Sequence, residues 1–257
     1  MKAVILAGGL GTRLREETEF LPKPMVPIGD KPILWHIMKT YAFYKHTDFV
    51  VCTGYKSDVI RDFFLNYQSK NLDFTVNLGS INPPKFYEEI AEQDWNVTIS
   101  DTGLSTLTGG RINRVQKYVN GQTFFCTYGD GLADLDLDKL LKFHEAHGKI
   151  ATVTVVKPTS RFGVVEIQEN NFVEKFKEKP QADGWINVGF FVFNKEIFNY
   201  LDPDSVLEES PLTKLAEAGE LVAYKHEGFW QSMDTYREML MLNALWNNKE
   251  APWKIWK

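Results

Sequence analysis

Short apolar runs alternate with stretches of helical spacing through the first half of the chain. Lys2–Ala7 is such a run, ended by a glycine cluster, and Asp48–Thr53, Leu72–Leu78, Val97–Ser100 and Thr123–Tyr128 share its character. Runs of this length and composition predict strands buried in a sheet. Between them, Pro32 opens a segment in which Ile33, Leu34, Ile37, Met38 and Tyr41 recur at helical spacing, and proline suits the first turn of a helix. Lys56–Tyr67, Gly110–Tyr118 and Asp136–His147 also predict helices, the last with Leu137, Leu140, Leu141 and His144 on one side. Strands alternating with helices predict an α/β fold with a mainly parallel sheet covered on both faces. Ligands of such sheets bind beyond the carboxyl ends of the strands.

The second half changes character. Ala151–Lys157, Gly163–Gln168, Phe172–Phe176 and Asn187–Asn194 are strand-like and joined by short polar links, and helical spacing returns at Lys195–Leu201, Pro211–Ala218 and Met233–Trp246. No Ser/Gly-rich linker divides the chain, so the expectation is a single domain over 1–257, with 151–257 forming a sheet-rich lobe and C-terminal helices on a core of 1–150. Gly79–Asn96 fits neither period, and an irregular insertion of that length is usually functional, mobile or an interface.

Composition narrows the field. The chain has 257 residues with 29 Lys+Arg against 34 Asp+Glu, enough length for a sizeable core and too little basic excess for a general nucleic-acid binder. The first residues lack the apolar stretch and cleavage site of a signal peptide, and no apolar run reaches the roughly 18–20 residues that span a bilayer, so a cytoplasmic location without a membrane partner is expected. Cys52 and Cys126 lie inside apolar runs and are expected as buried free thiols.

Chemistry concentrates after the first strand, in Leu6-Ala7-Gly8-Gly9-Leu10-Gly11-Thr12-Arg13. Glycines packed this closely let backbone amides approach a polyphosphate, and Arg13 adds a bidentate donor for phosphate oxygens. A dinucleotide-binding turn would need a third glycine where Leu14 stands, and a P-loop would need a lysine that is missing, so an NAD(P)-dependent oxidoreductase is disfavoured. Further on, Lys23 sits between Pro22 and Pro24 in a loop stiffened by fixed φ angles, presenting an ammonium as its strong donor.

The glycine-rich turn followed by the P-K-P loop resembles the sugar-1-phosphate nucleotidylyltransferases, and the likeness runs nearly end to end. It implies a Rossmann-like GT-A type nucleotidyltransferase core with a mainly parallel mixed sheet and a sugar-binding lobe, and Leu6–Arg13 and Lys23 as the triphosphate site. The pyrimidine-reading Q-x-x-P-x-G-L-A segment of thymidylyl and uridylyl members is absent. Asp101-Thr102-Gly103-Leu104-Ser105-Thr106-Leu107-Thr108-Gly109-Gly110-Arg111 stands there instead. That pattern is similar to the members that use CTP and α-D-glucose 1-phosphate, which implies CDP-glucose and pyrophosphate as products, in a deoxysugar, O-antigen or related polysaccharide route. Thr108 and Gly109 then belong to the nucleotide site with Gly129, and Arg111 would meet phosphate or stabilise the loop. Carbonyls and hydroxyls around Thr108-Gly109-Gly110 could accept from the cytosine amine, although the sequence assigns no individual bond.

A sugar phosphate is largely ionised at neutral pH, its second pKa being near ~6, so attack on the α-phosphorus needs no general base. His36, His46, His144, His147 and His226 accordingly receive packing or surface roles. The obstacle is repulsion between anions, about 4 kcal/mol per unit pair at 4 Å and an effective dielectric near 20. Arg13, Lys23 and a divalent cation, expected as Mg²⁺, would offset it. The resemblance makes Asp130 and Asp234 the metal ligands, with Arg13, Lys23 and Asp130 at the reaction centre. Asp134 is expected to cap the next helix, and capping is the competing role for Asp234. In the second lobe, Glu178, Lys179, Asn187 and Gly189 match the sugar-binding segments, and Trp230 would either wall the site or pack inward. Trp253 and Trp256 dock either within the chain or against another copy, and the family implies a homo-oligomer, a hexamer or trimer. The alternatives of another nucleotide (UTP or dTTP), another hexose 1-phosphate, or a non-catalytic nucleotide-sugar sensor remain open at this level.

Overall fold

The computed structural model describes residues 1–158, 163–169, 171–178, 181 and 184–256, without the side chains of 15 and 16. Its centre is a seven-stranded sheet. In chain order the strands are β1 (Lys2–Ala7), β2 (Asp48–Thr53), β3 (Asn96–Asp101), β4 (Thr123–Tyr128), β5 (Ala151–Val156), β6 (Ile186–Asn194) and β7 (Leu221–Lys225). They lie side by side as β7-β5-β6-β4-β1-β2-β3. β1 pairs in parallel with both β2 and β4, Val4 standing opposite Val50 on one side and Cys126 on the other. β6 is the exception, running antiparallel to β4 and β5.

The central strands β1, β2 and β4 are buried along nearly their whole length, and the sheet is covered there on both faces. Ala3, Ile5, Ala7, Val51 and Phe125 face one core with Leu34, Ile37, Met38 and Tyr41 of helix α1 (Ile33–Phe43). Val4, Leu6, Val50, Cys52 and Cys126 face the other with Ile112 of α2 (Thr108–Arg114) and Leu212 and Leu215 of α3 (Ser210–Glu217). Successive residues of a strand point to opposite faces, so one apolar run feeds two cores. Both cysteines are buried and free.

Several expectations shift. β5, β6 and β7 come from the second half and complete the central sheet, so the part that stands off is the exposed hairpin of Val164–Ile167 and Val173–Lys177. Leu72–Leu78 supplies only Phe74–Thr75, paired with Lys85–Phe86 outside the main sheet, and leaves Val76 and Leu78 exposed. The expected helix over 56–67 breaks at Asn66 into Ser57–Leu65 and Tyr67–Asn71. Asp136, not Asp134, caps the helix α4 (Leu137–His147), accepting from the Lys139 amide at 2.9 Å, while Asp134 lies 3.0 Å from His226 Nε2. The insertion is pinned near its end by buried Glu92, which accepts from Lys39 at 2.7 Å and from the Tyr67 hydroxyl at 3.1 Å.

The last tryptophans dock within the chain. Trp253 is fully buried, stacked against Phe229 and Trp246, and Trp256 meets Trp35 edge-on. This cluster braces the P-K-P loop from behind. Trp246 packs on Gly29, and Asn243 of α5 (Tyr236–Asn247) accepts from the Gly29 amide at 2.9 Å.

Candidate active site

The turn after β1 is held open from below by Arg111. Its guanidinium is buried and donates to the carbonyls of Thr53 (3.0 Å), Gly103 (2.9 Å) and Gly8 (2.9 Å) and to the Thr102 hydroxyl (2.7 Å). Gly8 makes this possible, since a Cβ there would lie 2.1 Å from Arg111 Nη1. These bonds tie Arg111 to the loop it braces, and it also lines the cleft above. Burial lowers its pKa, but a guanidinium remains charged.

A cleft of about 450 Å³ opens above this floor. Leu6, Ala7, Gly8, Gly9, Gly11, Arg13, Lys23, Thr108, Arg111, Gly129 and Asp130 line it, so most of the residues singled out in sequence come together here. Leu10 and Thr12 are exposed and do not line it, and Gly109 is buried against Ser205 instead, where a Cβ would lie 2.4 Å from the Ser205 hydroxyl oxygen.

Lys23 begins a single 3₁₀ turn (Lys23–Met25) after Pro22 and is buried there. Its ammonium lies 2.6 Å from Asp130 Oδ2 and 2.6 Å from Asp234 Oδ1, and Arg13 Nη2 reaches Asp234 Oδ1 at 3.0 Å. A short ribbon aligns the two aspartates. Gly131–Ala133 pairs antiparallel with Trp230–Ser232, Gly131 opposite Ser232, so Asp130, just before one strand, and Asp234, two residues beyond the other, arrive at the same end. The Asp130 carbonyl fixes that end by accepting from the Met233 amide at 2.8 Å. Nothing in the sequence marked this three-residue pairing. Thr235 takes the capping role that competed for Asp234, forming a capping box with Glu238, which leaves the Asp234 carboxylate to the site. Burial pushes the Asp234 pKa up, but the hydrogen bond and charge of Lys23, with Arg13 and Ser232, outweigh it and hold the carboxyl below its ordinary range.

A second cavity of about 1060 Å³, lined by Trp185, Trp230, Ser232 and Asp234 among others, lies on the side of the second lobe. The Lys23–Asp234 ion pair joins its wall to that of the first cleft. Trp230 therefore walls this cavity, half-buried. Asn187 is exposed, accepts from the Gly189 amide at 2.8 Å and donates to the Tyr128 hydroxyl at 3.3 Å. Gly189 has φ +81°, and a Cβ there would lie 2.1 Å from the Tyr128 ring, so only glycine fits. Glu178 is exposed at the end of the hairpin and lines neither cavity, and Lys179 lies outside the described residues. Tyr128 and Glu208, both in the first cleft, escaped sequence reasoning; a glutamate just ahead of a helix reads as an ordinary first-turn charge.

Of the histidines, none lines the first cleft, and His226 borders the second cavity. Two cavities thus meet at a clamp of cations and carboxylates at the carboxyl ends of β1 and β4. The chain belongs to the nucleotidyl transferase family, whose model matches residues 2–236.

More particular likenesses fall within that family. The chain is 50% identical over 260 residues to the glucose-1-phosphate cytidylyltransferase of Salmonella typhi and, to the same degree, to that of Salmonella typhimurium, with 100% of both chains covered in each case. Among solved structures, HddC from Yersinia pseudotuberculosis superposes with a TM-score of 0.71 at 24% identity, covering 95% of this chain and 99% of its own, which is a likeness of fold.

Proposed function

We propose that this enzyme transfers the cytidylyl group of CTP to α-D-glucose 1-phosphate, forming CDP-glucose. A phosphate oxygen of the sugar phosphate bonds to the α-phosphorus, the bond to the bridging oxygen breaks, and pyrophosphate leaves. Support comes from full-length relatives at 50% identity named for that reaction. The observation that carries the reading is Lys23 seated between Asp130 and Asp234 where two cavities adjoin.

The glycine turn presents its amides to the triphosphate, and Arg13 and Lys23 supply fixed positive charge along it. The nucleophile arrives ionised, so the protein's task is alignment and charge compensation. Asp130 and Asp234 converge on one cation, the Lys23 ammonium, and such a pair of hard oxygen donors also suits Mg²⁺, which keeps several non-protein ligands. No group of three or more metal-binding side chains occurs among the described residues, consistent with substrate oxygens completing the shell. Bound there, Mg²⁺ would supply Lewis-acid stabilisation of phosphoryl charge. The lobe residues Glu178, Lys179, Asn187 and Gly189 are assigned to the hexose phosphate.

Among the described residues no helix is long and apolar enough to cross a membrane. We place the enzyme in the cytoplasm, as a homo-oligomer of three or six copies without nucleic-acid or membrane partners, making nucleotide sugar for deoxysugar or O-antigen type polysaccharide. The deciding experiment is a pyrophosphate-release assay crossing four nucleoside triphosphates with several hexose 1-phosphates, with and without Mg²⁺. Turnover is expected with CTP, glucose 1-phosphate and Mg²⁺ together, and preference for another pair would overturn the assignment.

A further inference from the structure

The first cleft has two acidic side chains among its described lining residues, Asp130 and Glu208. Asp130 is neutralised by Lys23. Glu208 has no ammonium or guanidinium within ion-pair distance among the described residues. It stands with Thr106, Leu107, Thr108, Tyr128 and Val206, a stretch of lining that holds neither the glycine turn nor Lys23.

Two hydroxyls hold this carboxylate. Thr108 Oγ1 lies 2.6 Å from Glu208 Oε2, and the Tyr128 hydroxyl contacts Glu208 Oε1. Each hydroxyl oxygen already accepts from elsewhere, Thr108 from the Leu207 amide at 2.9 Å and Tyr128 from Asn187 Nδ2 at 3.3 Å. Both hydroxyl protons are therefore committed to Glu208. Burial, then the Glu208 charge, raise the Tyr128 pKa, which keeps the phenol a donor. An ionised carboxylate has about four lone-pair sites, so roughly two remain for a ligand.

Glu208 is exposed at the lining of the cleft, where an unneutralised carboxylate repels phosphate and attracts a hydrogen-bond donor. If the phosphates lie along the glycine turn, the base falls toward the other part of the lining, where Leu107 and Val206 offer apolar surface to a flat ring. Cytosine offers an exocyclic amine at the position where uracil and thymine carry a carbonyl. We propose that Glu208 is a specificity-determining residue that accepts from that amine, and that its charge rejects the carbonyl of UTP and dTTP. This rests on CTP being the nucleotide. It adds to that reading a named reader of the base and a repulsive element, which discrimination between isosteres requires.

The test measures kcat/KM of wild type and Glu208→Gln with CTP, UTP and dCTP, glucose 1-phosphate held saturating, and separately the KM for glucose 1-phosphate. Glutamine matches glutamate in shape and can turn an amide proton toward a carbonyl. The CTP:UTP ratio is expected to fall about ten- to a hundred-fold, in line with what one good base contact discriminates. The CTP:dCTP ratio and the KM for glucose 1-phosphate should hold. An unchanged CTP:UTP ratio overturns the proposal. So does a shift confined to dCTP, which would place Glu208 on the ribose, or one confined to the KM for the sugar phosphate. A wild type that does not prefer CTP would instead remove the assigned nucleotide, a distinct failure. Tyr128→Phe, which deletes one of the two hydroxyls, should lower the ratio in the same direction by a smaller factor, and serves if the first variant does not fold.

Discussion

At the scale of single residues, Lys23 decides most. Its ammonium holds two carboxylates 2.6 Å away that would otherwise repel each other and the incoming phosphates. Lys23→Ala is expected to lower kcat/KM by about 10²–10³-fold, the usual effect of removing one group that stabilises transition-state charge. Asp130→Asn should lose most turnover as well, with unfolding still cooperative, and near-normal pyrophosphate release by either variant would contradict its role. The lysine was visible in sequence because prolines flank it, and the glycine turn because its spacing is unlike the surrounding chain. Arg111 was visible as a cation but not as a brace, since its partners are carbonyls of Gly8, Thr53 and Gly103, groups that every residue carries. Glu208 and Tyr128 were silent for a related reason. Their meaning lies in hydrogen bonds between segments 80 residues apart.

At the scale of elements, the site depends on how α5 begins. Thr235 accepts from the Glu238 amide, Glu238 Oε2 accepts from the amides of Thr235 and Asp234, and Asp234 is thereby fixed two residues ahead of the helix. Thr235→Ala should cost about 1 kcal/mol of stability, read by denaturant titration. It should also lower kcat, because the backbone carrying Asp234 loses its anchor; an unchanged kcat with reduced stability would show that the cap serves the helix alone. Strongly periodic elements such as β1, β2 and α1 were legible from their apolar positions. The Gly131–Ala133 and Trp230–Ser232 ribbon was not, because three residues carry no period. β7 was missed because it is an edge strand with partly exposed, mixed side chains, and Leu72–Leu78 was overread because an apolar run alone supplies no strand to pair with.

Across the whole molecule, the C-terminal tail closes the ring of contacts that begins at the P-K-P loop, and His36 lies at the junction. Its Nε2 lies 2.9 Å from the Ile28 carbonyl, and Nδ1 faces the Trp253 indole N–H at 3.5 Å. With Nε2 donating to the carbonyl, Nδ1 accepts from the indole and must be unprotonated. Burial lowers the His36 pKa to about 4, against the smaller opposing effects of the Ile28 bond and Asp30, and burial does the same to His46, also to about 4. The sign follows directly. Between about 6.5, the ordinary histidine value, and about 4, the unfolded chain takes up protons that the folded chain refuses, so stability falls as pH falls through that window. For His36 the loss from pH 7 to pH 5 is about 2 kcal/mol. The depressed carboxyl of Asp234 contributes stability above its unfolded pKa and loses it only as pH drops below about 4, so it does not confuse the measurement. Urea titrations at pH 7 and pH 5 should show this decline, and His36→Asn should remove His36's share of it. An undiminished slope in that variant would mean that His46, His144 and His147, whose pKa values burial also lowers, and not His36, set the acid response of the fold.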